Sequence, residues 1–222
     1  DPPFDIDYVF STYLLDLVPK RTLVLNRPAS LRDANEKMVA LRWPELCPPT
    51  FVTREINRAI DWIATMSTKV VLKPWDGNGG RGIVVTELGD SNLRAMLETL
   101  TDAERRYIIL QKHIPEIARG DKRIILIDGR PCGWFNRVPG PNDHRGNMHV
   151  GAQVEACDLS ARDQEICDSL GPWLKKSGLL FVGIDIIGSY LTEINVTSPT
   201  GVQEIRTLMG ERLERTIVTA VQ

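Results

Sequence analysis

Apolar residues recur at helix-like spacing in some stretches and strand-like spacing in others, and the alternation predicts mixed α and β structure. Residues 6–18 read as a helix with Val9, Tyr13 and Leu17 on one face, followed by a strand-like run at 22–25 that Asn26-Arg27-Pro28 ends. Ser30 with Asp33 three positions later approximates a capping box, which predicts a second helix carrying Lys37 and closing at Trp43-Pro44. Ile56, Ile60 and Ile63 stripe a third helix, and Leu93, Met96, Leu97 and Leu100 a fourth. Between them, 69–73 and 83–86 read as strands flanking a glycine-rich turn.

From 107 onward strands dominate: 107–110, 123–127 and 132–137, with an Asp128-Gly129 turn that Pro131 is expected to lengthen beyond two residues. Residues 138–150 are rich in Pro and Gly and predict a long loop. Ser160 with Asp163 opens a helix with Ile166, Leu170 and Trp173 inward, interrupted at Gly171-Pro172 and stopped by Gly178. Strands at 180–187 and 191–196 follow, and a single helix over 202–218 closes the chain. There is no internal repeat.

The 222 residues are 42% hydrophobic and 25% charged with a formal net charge of −2, enough chain for a sizeable core and too balanced for a general nucleic-acid footprint. No apolar run approaches the roughly 18 residues of a spanning helix, so neither membrane nor nucleic acid is an expected partner. Cys47, Cys132, Cys157 and Cys167 form no CxxC pair and share no metal-ligand spacing with the three histidines, which predicts a reduced, cytoplasmic setting. The start, Asp1-Pro2-Pro3-Phe4-Asp5, has neither Met nor signal-peptide pattern and reads as cut from something longer.

Candidate chemistry lies in two places. Lys73 ends a strand ahead of Pro74-Trp75-Asp76-Gly77-Asn78-Gly79-Gly80-Arg81-Gly82, four glycines in six positions. Such a loop lets backbone N–H groups approach phosphate oxygens, with the lysine as a point charge; a structural glycine hairpin is the alternative. No helix follows, which argues against a dinucleotide-binding turn, and no GK[ST] is present for a Walker loop. Near the C-terminus, Asp185 precedes Glu193 and Asn195. Two apart on a strand, Glu193 and Asn195 share a face opposite Ile194 and Val196, so the three oxygen donors suit a hard cation, or else form a solvated strand face. For Asp185 to lie opposite Glu193 the connection must hold an odd number of residues; a two-residue Gly188-Ser189 turn puts Asp185 opposite Thr192 unless a bulge intervenes.

Asp1-Pro2-Pro3-Phe4-Asp5, Asn26-Arg27-Pro28, Leu31-Arg32-Asp33 with Asn35-Glu36-Lys37, Lys73-Pro74 with Gly77 to Gly80, Gly120-Asp121-Lys122-Arg123, Arg145-Gly146-Asn147 and Thr192-Glu193-Ile194-Asn195-Val196-Thr197-Ser198-Pro199-Thr200 together resemble the prokaryotic glutathione synthetase family. The resemblance spans nearly the whole chain in the family's order. It implies an α+β ATP-grasp fold, two α+β subdomains with nucleotide between their sheets: 1–35 from an N-terminal domain and linker, 36–110 a central subdomain, 111–222 a C-terminal subdomain. It implies ATP-dependent ligation of γ-glutamylcysteine and glycine, with ATP as co-substrate, Mg²⁺ or Mn²⁺ as metal, and a homo-oligomer for the full-length family. By the same resemblance, Lys37 and Lys73 contact phosphates, Gly79 and Gly80 cover them, Gln111, Lys112, His113 and Ile114 face adenine, and Asp121 lies near the ribose. Arg123 and Arg137 neutralise the transferred phosphoryl group, Asp185, Glu193 and Asn195 hold the metal, and 138–152, with Arg145, form a lid.

The sequence departs from the family at the end of that lid, where Ala152 stands in place of a second glycine after Gly151 and His144 and His149 flank Arg145-Gly146-Asn147. The family also carries a whole N-terminal α/β domain ahead of Asp1. Other readings are an ATP-grasp ligase for a different acid and amine, or a catalytically silent nucleotide-binding chain.

Overall fold

The computed structural model describes residues 3–77, 79–140 and 153–222. Two antiparallel sheets form its frame. The first joins β1 (Thr50–Thr53), β2 (Val70–Pro74), β3 (Val84–Thr86) and β4 (Ile108–Lys112) in the order β1-β4-β2-β3. The second joins β5 (Asp121–Ile127), β6 (Arg130–Val138), β7 (Gln153–Glu155), β8 (Phe181–Ile187) and β9 (Tyr190–Asn195) in the order β7-β6-β5-β8-β9.

Strand alternation divides each sheet into a core face and a cleft face. In β2, Val70 and Leu72 are fully buried under α3 (Ile56–Thr65) and α4 (Leu93–Leu100), whose Ile63 and Leu97 are equally buried. Each such side chain contributes roughly 1.5–3 kcal/mol by leaving water. Val71 and Lys73, one position off, turn to the other face. In β5, Ile124 and Leu126 pack with α5 (Ala161–Lys176), while Ile125 and Ile127 pack on the opposite face with Ile205 of α6 (Val202–Met209) and Leu213 of α7 (Leu213–Val221). Asp121 and Arg123 continue that second face beyond the apolar part.

Several elements depart from the periodicity. The first helix, α1 (Ile6–Asp16), buries Tyr8 and Thr12, whereas Tyr13 is 53% and Leu17 78% exposed, so the expected face is displaced. Tyr8 is held inward by its hydroxyl, which donates to Leu31 O at 3.2 Å. Residues 22–25 form no strand. The next helix, α2 (Pro28–Asp33), starts at Pro28, a residue suited to the first turn, and stops before Lys37. Asn35 ends it: its side-chain oxygen accepts from Lys37 N and Met38 N, amides that a continuing helix would use.

The α5 capping box forms as expected, with Ser160 and Asp163 bonded reciprocally, but Pro172 does not interrupt the helix, which runs to Lys176 before Gly178 turns left-handed at φ 66°. Gly210 (φ 74°) splits the closing helix in two, because its left-handed backbone accommodates a cap that only glycine adopts freely. The Asp128-Gly129 turn holds two residues, both at positive φ; Pro131 is accommodated by a bulge at Cys132, where Ile125 pairs with Gly133 and Leu126 with Pro131. β1 and β7 were not predicted. The cysteines are unpaired, and burial pushes the thiols of Cys47 and Cys167 up to about 11 and about 12.

Asn26 accounts for the rigidity of one end of the second sheet. Its backbone is left-handed at φ 57°, its amide nitrogen donates to Phe181 O (2.7 Å) and Val196 O (2.5 Å), and its oxygen accepts from Phe181 N (3.0 Å). One side chain thus ties the start of β8 to the residue after β9. Removing it strands three backbone groups, one buried and two partly buried, so Asn26→Ala should cost about 3 kcal/mol and lower Tm by about 6–12 °C in thermal unfolding. A shift under about 2 °C would show that the three bonds are replaced without cost.

Candidate active site

A solvent-open cleft of about 1030 Å³ lies between the two sheets. Val71, Lys73, Val85, Gln111 and Lys112 line it from the first sheet, and Asp121, Arg123, Arg137, Asp185, Ile187, Glu193 and Asn195 from the second. Lys37 and Glu36 reach it from the segment after α2, and Gly77, Gly79, Gly80 and Arg81 from the glycine-rich loop; His113 and Ile114 follow β4 along its wall. Of the residues singled out in the sequence, Arg145 lies outside the described residues, as do 141–152 of the expected lid with His144, His149 and Ala152. All the others given a nucleotide, phosphoryl or metal role line this one cleft, whereas residues 138–140 of the expected lid are not part of its lining. The sequence reading missed Glu36 and Thr192, and the apolar wall of Val71, Val85 and Ile187; the alternation of β2 was the signal available for Val71.

Sheet register builds the charged floor. Phe135, Arg123, Asp185 and Glu193 lie side by side across β6, β5, β8 and β9, and Arg137 lies directly opposite Asp121. Arg123 grips Asp185 with two bonds, Nε to Oδ1 at 2.5 Å and a terminal nitrogen to Oδ2 at 3.0 Å. Arg137 reaches the same Oδ1 at 3.0 Å and Asp121 Oδ2 at 2.5 Å. Burial alone would raise the Asp185 carboxyl, but the two guanidinium charges overcome it and hold the group down at about 2. For Asp121 burial wins over Arg137, and its carboxyl is pushed up to about 7. Two buried polar atoms here have no hydrogen-bond partner among the described residues, Asp121 Oδ1 and Arg137 Nε.

The lysines converge from separate elements. Lys37 donates to Gly77 O of the glycine-rich loop at 2.5 Å, pairs with its neighbour Glu36, and lies 3.6 Å from Glu193. Burial opposes its charge, yet Glu193 and Glu36 raise the amine above its ordinary value. Lys73 is lowered by burial despite Glu193, and donates to Gln111 Oε1 at 2.8 Å. Gln111 is fixed in turn by its own bond to Thr50 Oγ1 at 3.0 Å.

The hairpin that carries the acidic pair turns through Gly188-Ser189 alone, with Ile187 opposite Tyr190. The expected odd-numbered connection is therefore absent. A bulge at Thr192 restores the pairing, since Ile186 faces Leu191 while Asp185 faces Glu193. Asn195 donates its amide nitrogen to Asp185 Oδ2 at 3.3 Å, which leaves its carbonyl oxygen as a third donor. Among the described residues no three His, Cys, Asp or Glu side chains form a metal cluster. Two carboxylates and one amide oxygen fit a hard divalent cation that takes its remaining ligands from phosphate and water, and do not fit an all-protein cage.

The sequence matches the family described as prokaryotic glutathione synthetase, ATP-grasp domain, over residues 36–210, and the N-terminal domain of the same family over residues 1–32. This chain belongs to the prokaryotic glutathione synthetase family. It is 48% identical over 219 residues to the glutathione synthetase of Thermosynechococcus vestitus, covering 98% of this chain and 69% of that one. The Agrobacterium fabrum enzyme is 43% identical over 222 residues, covering 100% and 69%. Among solved structures, D-cycloserine synthetase superposes with a TM-score of 0.71 at 15% identity, covering 87% of this chain and 71% of that chain. D-alanine–D-alanine ligase from Bacillus anthracis, complexed with ATP, superposes at 0.62 and 15% identity, covering 88% and 68%. These establish the ATP-grasp fold. The two segments that most marked the family resemblance meet in space. Phe4 packs on Tyr8 (4.9 Å between ring centroids) and against Trp75 at the glycine-rich loop (6.0 Å), and the Tyr8 hydroxyl lies 2.8 Å from Thr197 Oγ1. The loop after Asn195 then closes over β8, where a Cβ on Gly183 would sit 2.8 Å from Pro199 Cβ, and Thr200 O accepts from Arg123 at 3.2 Å.

Because Asp185 alone pairs with both arginines, Asp185→Asn should destabilise the chain by about 3–5 kcal/mol at pH 7, whereas Glu193→Gln should cost far less. The Asp185 carboxyl sits below its unfolded value of 3.8, so its contribution is present above that pH and is lost as pH falls through about 2. Denaturant unfolding at pH 7, 4 and 3 checks this: the native chain should lose about 1 kcal/mol on acidification to pH 3 that Asp185→Asn does not lose. Equal pH slopes in the two would show the pairing to be energetically idle.

Proposed function

We propose that the cleft binds ATP between the two sheets and ligates γ-glutamylcysteine to glycine, giving glutathione, ADP and phosphate. The observation that carries this reading is the convergence of Lys37 and Lys73 with Arg123, Arg137, Asp185 and Glu193, in a chain of this family. A carboxylate is a poor electrophile at neutral pH, so the γ-phosphoryl group is passed to the acid to make an acyl phosphate, which the glycine amine attacks. The protein's part is positioning and charge neutralisation, and no side-chain nucleophile is needed.

Lys37 and Lys73 contact the phosphates, with Gly79 and Gly80 over them. The apolar walls from Val71, Val85 and Ile187 take the adenine beside Gln111, Lys112, His113 and Ile114. Asp121 Oδ1, without a hydrogen-bond partner among the described residues, accepts from a ribose hydroxyl, and Arg137 Nε donates to a phosphoryl oxygen. Arg123 and Arg137 offset charge on the transferring group, and Arg145 belongs to the lid. Asp185, Glu193 and Asn195 would hold a divalent cation, Mg²⁺ or Mn²⁺, which would offset the phosphate charge. The same reading divides the chain into 1–35, 36–110 and 111–222 and takes the enzyme as cytoplasmic, with a homo-oligomer for the full-length family member.

Glycine-dependent ADP release with γ-glutamylcysteine tests the reaction, with D-alanine pairs as the competing acid and amine. Lys73→Met keeps the buried stem and removes the charge, so nucleotide affinity measured by calorimetry should fall at least about tenfold with Tm unchanged or raised. Native affinity in both Lys37→Met and Lys73→Met would sink the phosphate assignment, and ADP release independent of glycine would sink the ligase.

A further inference from the structure

We infer that Thr192 is a positioning residue for the divalent-cation site, acting through the bulge that sets Glu193 on the same face as Asp185. The inference rests on the reading of Asp185 and Glu193 as the metal pair. Its ground is the register of the β8–β9 hairpin. From the two-residue turn, Ile187 pairs with Tyr190 and Ile186 with Leu191. Continued unbroken, that register would set Thr192 opposite Asp185 and Glu193 opposite Ile184. Ile184 is fully buried in the core against α5, so a carboxylate beside it would have neither water nor a partner.

One extra residue in β9 resolves the conflict. Leu191 and Ile194, three positions apart, both enter that core fully buried, a spacing that no regular strand allows and a bulge requires. Thr192 is the residue between the two registers. It is buried, lines the cleft, and its hydroxyl donates to Asp185 O at 3.1 Å. That bond spans the bulge and ends on the backbone of the acidic residue itself. On its outer edge β9 is pinned on either side of the bulge, by Leu191 N to Leu46 O (2.8 Å) and Ile194 N to Glu36 O (2.9 Å), so the extra residue cannot slide along the strand. The hydroxyl therefore fixes the separation and facing of the two carboxylates without touching the metal, as an outer-shell group does elsewhere.

The test compares Thr192→Val, which keeps the branched shape and loses the hydroxyl, with Thr192→Ser, which keeps the hydroxyl. Mn²⁺ binding is followed by electron paramagnetic resonance in the presence of ADP, and ADP binding is measured separately without metal. Thr192→Val should bind Mn²⁺ about 10–100-fold more weakly with metal-free ADP affinity within about twofold of native, and Thr192→Ser should recover native Mn²⁺ affinity to within about threefold. If Thr192→Val fails to fold, Thr192→Ala against Thr192→Ser makes the same comparison. Native Mn²⁺ affinity in the hydroxyl-free variant overturns the inference, as does equal weakening in Thr192→Ser, or parallel loss of metal-free ADP binding. Glu193→Gln separates the underlying reading: if it too binds Mn²⁺ like the native chain, the metal pair is wrong, whereas weak binding there with native binding in Thr192→Val removes only the role of Thr192.

Discussion

The buried Asp185 carboxylate, gripped by Arg123 and shared with Arg137, is the interaction on which the second sheet's cleft face depends. Charges taken out of water are costly unless each lone pair and N–H finds a partner, and here two guanidinium groups and one amide surround a single carboxylate. That arrangement requires four strands in register, since its members sit on β5, β6, β8 and β9. It also requires room: Gly183 lacks a side chain where the loop carrying Pro199 crosses above Arg123.

The rest of the sheet supplies apolar burial on both sides of this polar strip. α5 covers one face, and α6 and α7 cover the other only as far as Ile125 and Ile127, which leaves Asp121 and Arg123 open to the cleft. The first sheet is simpler, with helices on one face and Lys73 and Gln111 on the other. In the proposed site a nucleotide would meet both the apolar side chains of Val71, Val85 and Ile187 and a cluster of paired charges. Lys37, Lys73, Arg123 and Arg137 stand against Glu36, Asp121, Asp185 and Glu193, so under the proposed function phosphate and cation would exchange partners with charges already in place, with little reorganisation.

Both long hairpins of the second sheet combine a two-residue turn with one bulged residue, Cys132 in the first and Thr192 in the second. A one-residue slip flips every side chain beyond it to the opposite face, so each bulge decides which residues reach the cleft. In β9 the consequence is chemical, because Leu191 and Glu193 would share a face in a regular strand and must not. Asn26 acts at the far end of the same hairpin, where its side chain stands in for backbone and holds the last rung closed.

Much of this was legible in the residues themselves. Helices α3, α4 and α5 and strands β2, β3 and β8 follow from spacing and capping, since burial of a repeated face and satisfaction of end amides are local requirements. Lysine before a glycine-rich turn and acidic residues on a late strand marked side chains that the fold brings into one cleft, and ordered motifs over nearly the whole chain marked the family. What the sequence could not decide was set by contacts between distant segments. α1 turned Tyr8 inward because Leu31 O accepts from its hydroxyl and Thr197 Oγ1 lies beside it, and α2 stopped short of Lys37 because Asn35 takes the next amides. The pairing of Asp185 with Glu193 belongs to the same class. The spacing allowed two registers, and the burial of Leu191 and Ile194 on one side, against the charge of Glu193 on the other, selected the bulged one, because only the tertiary structure sets which face of β9 meets the core and which meets the arginines.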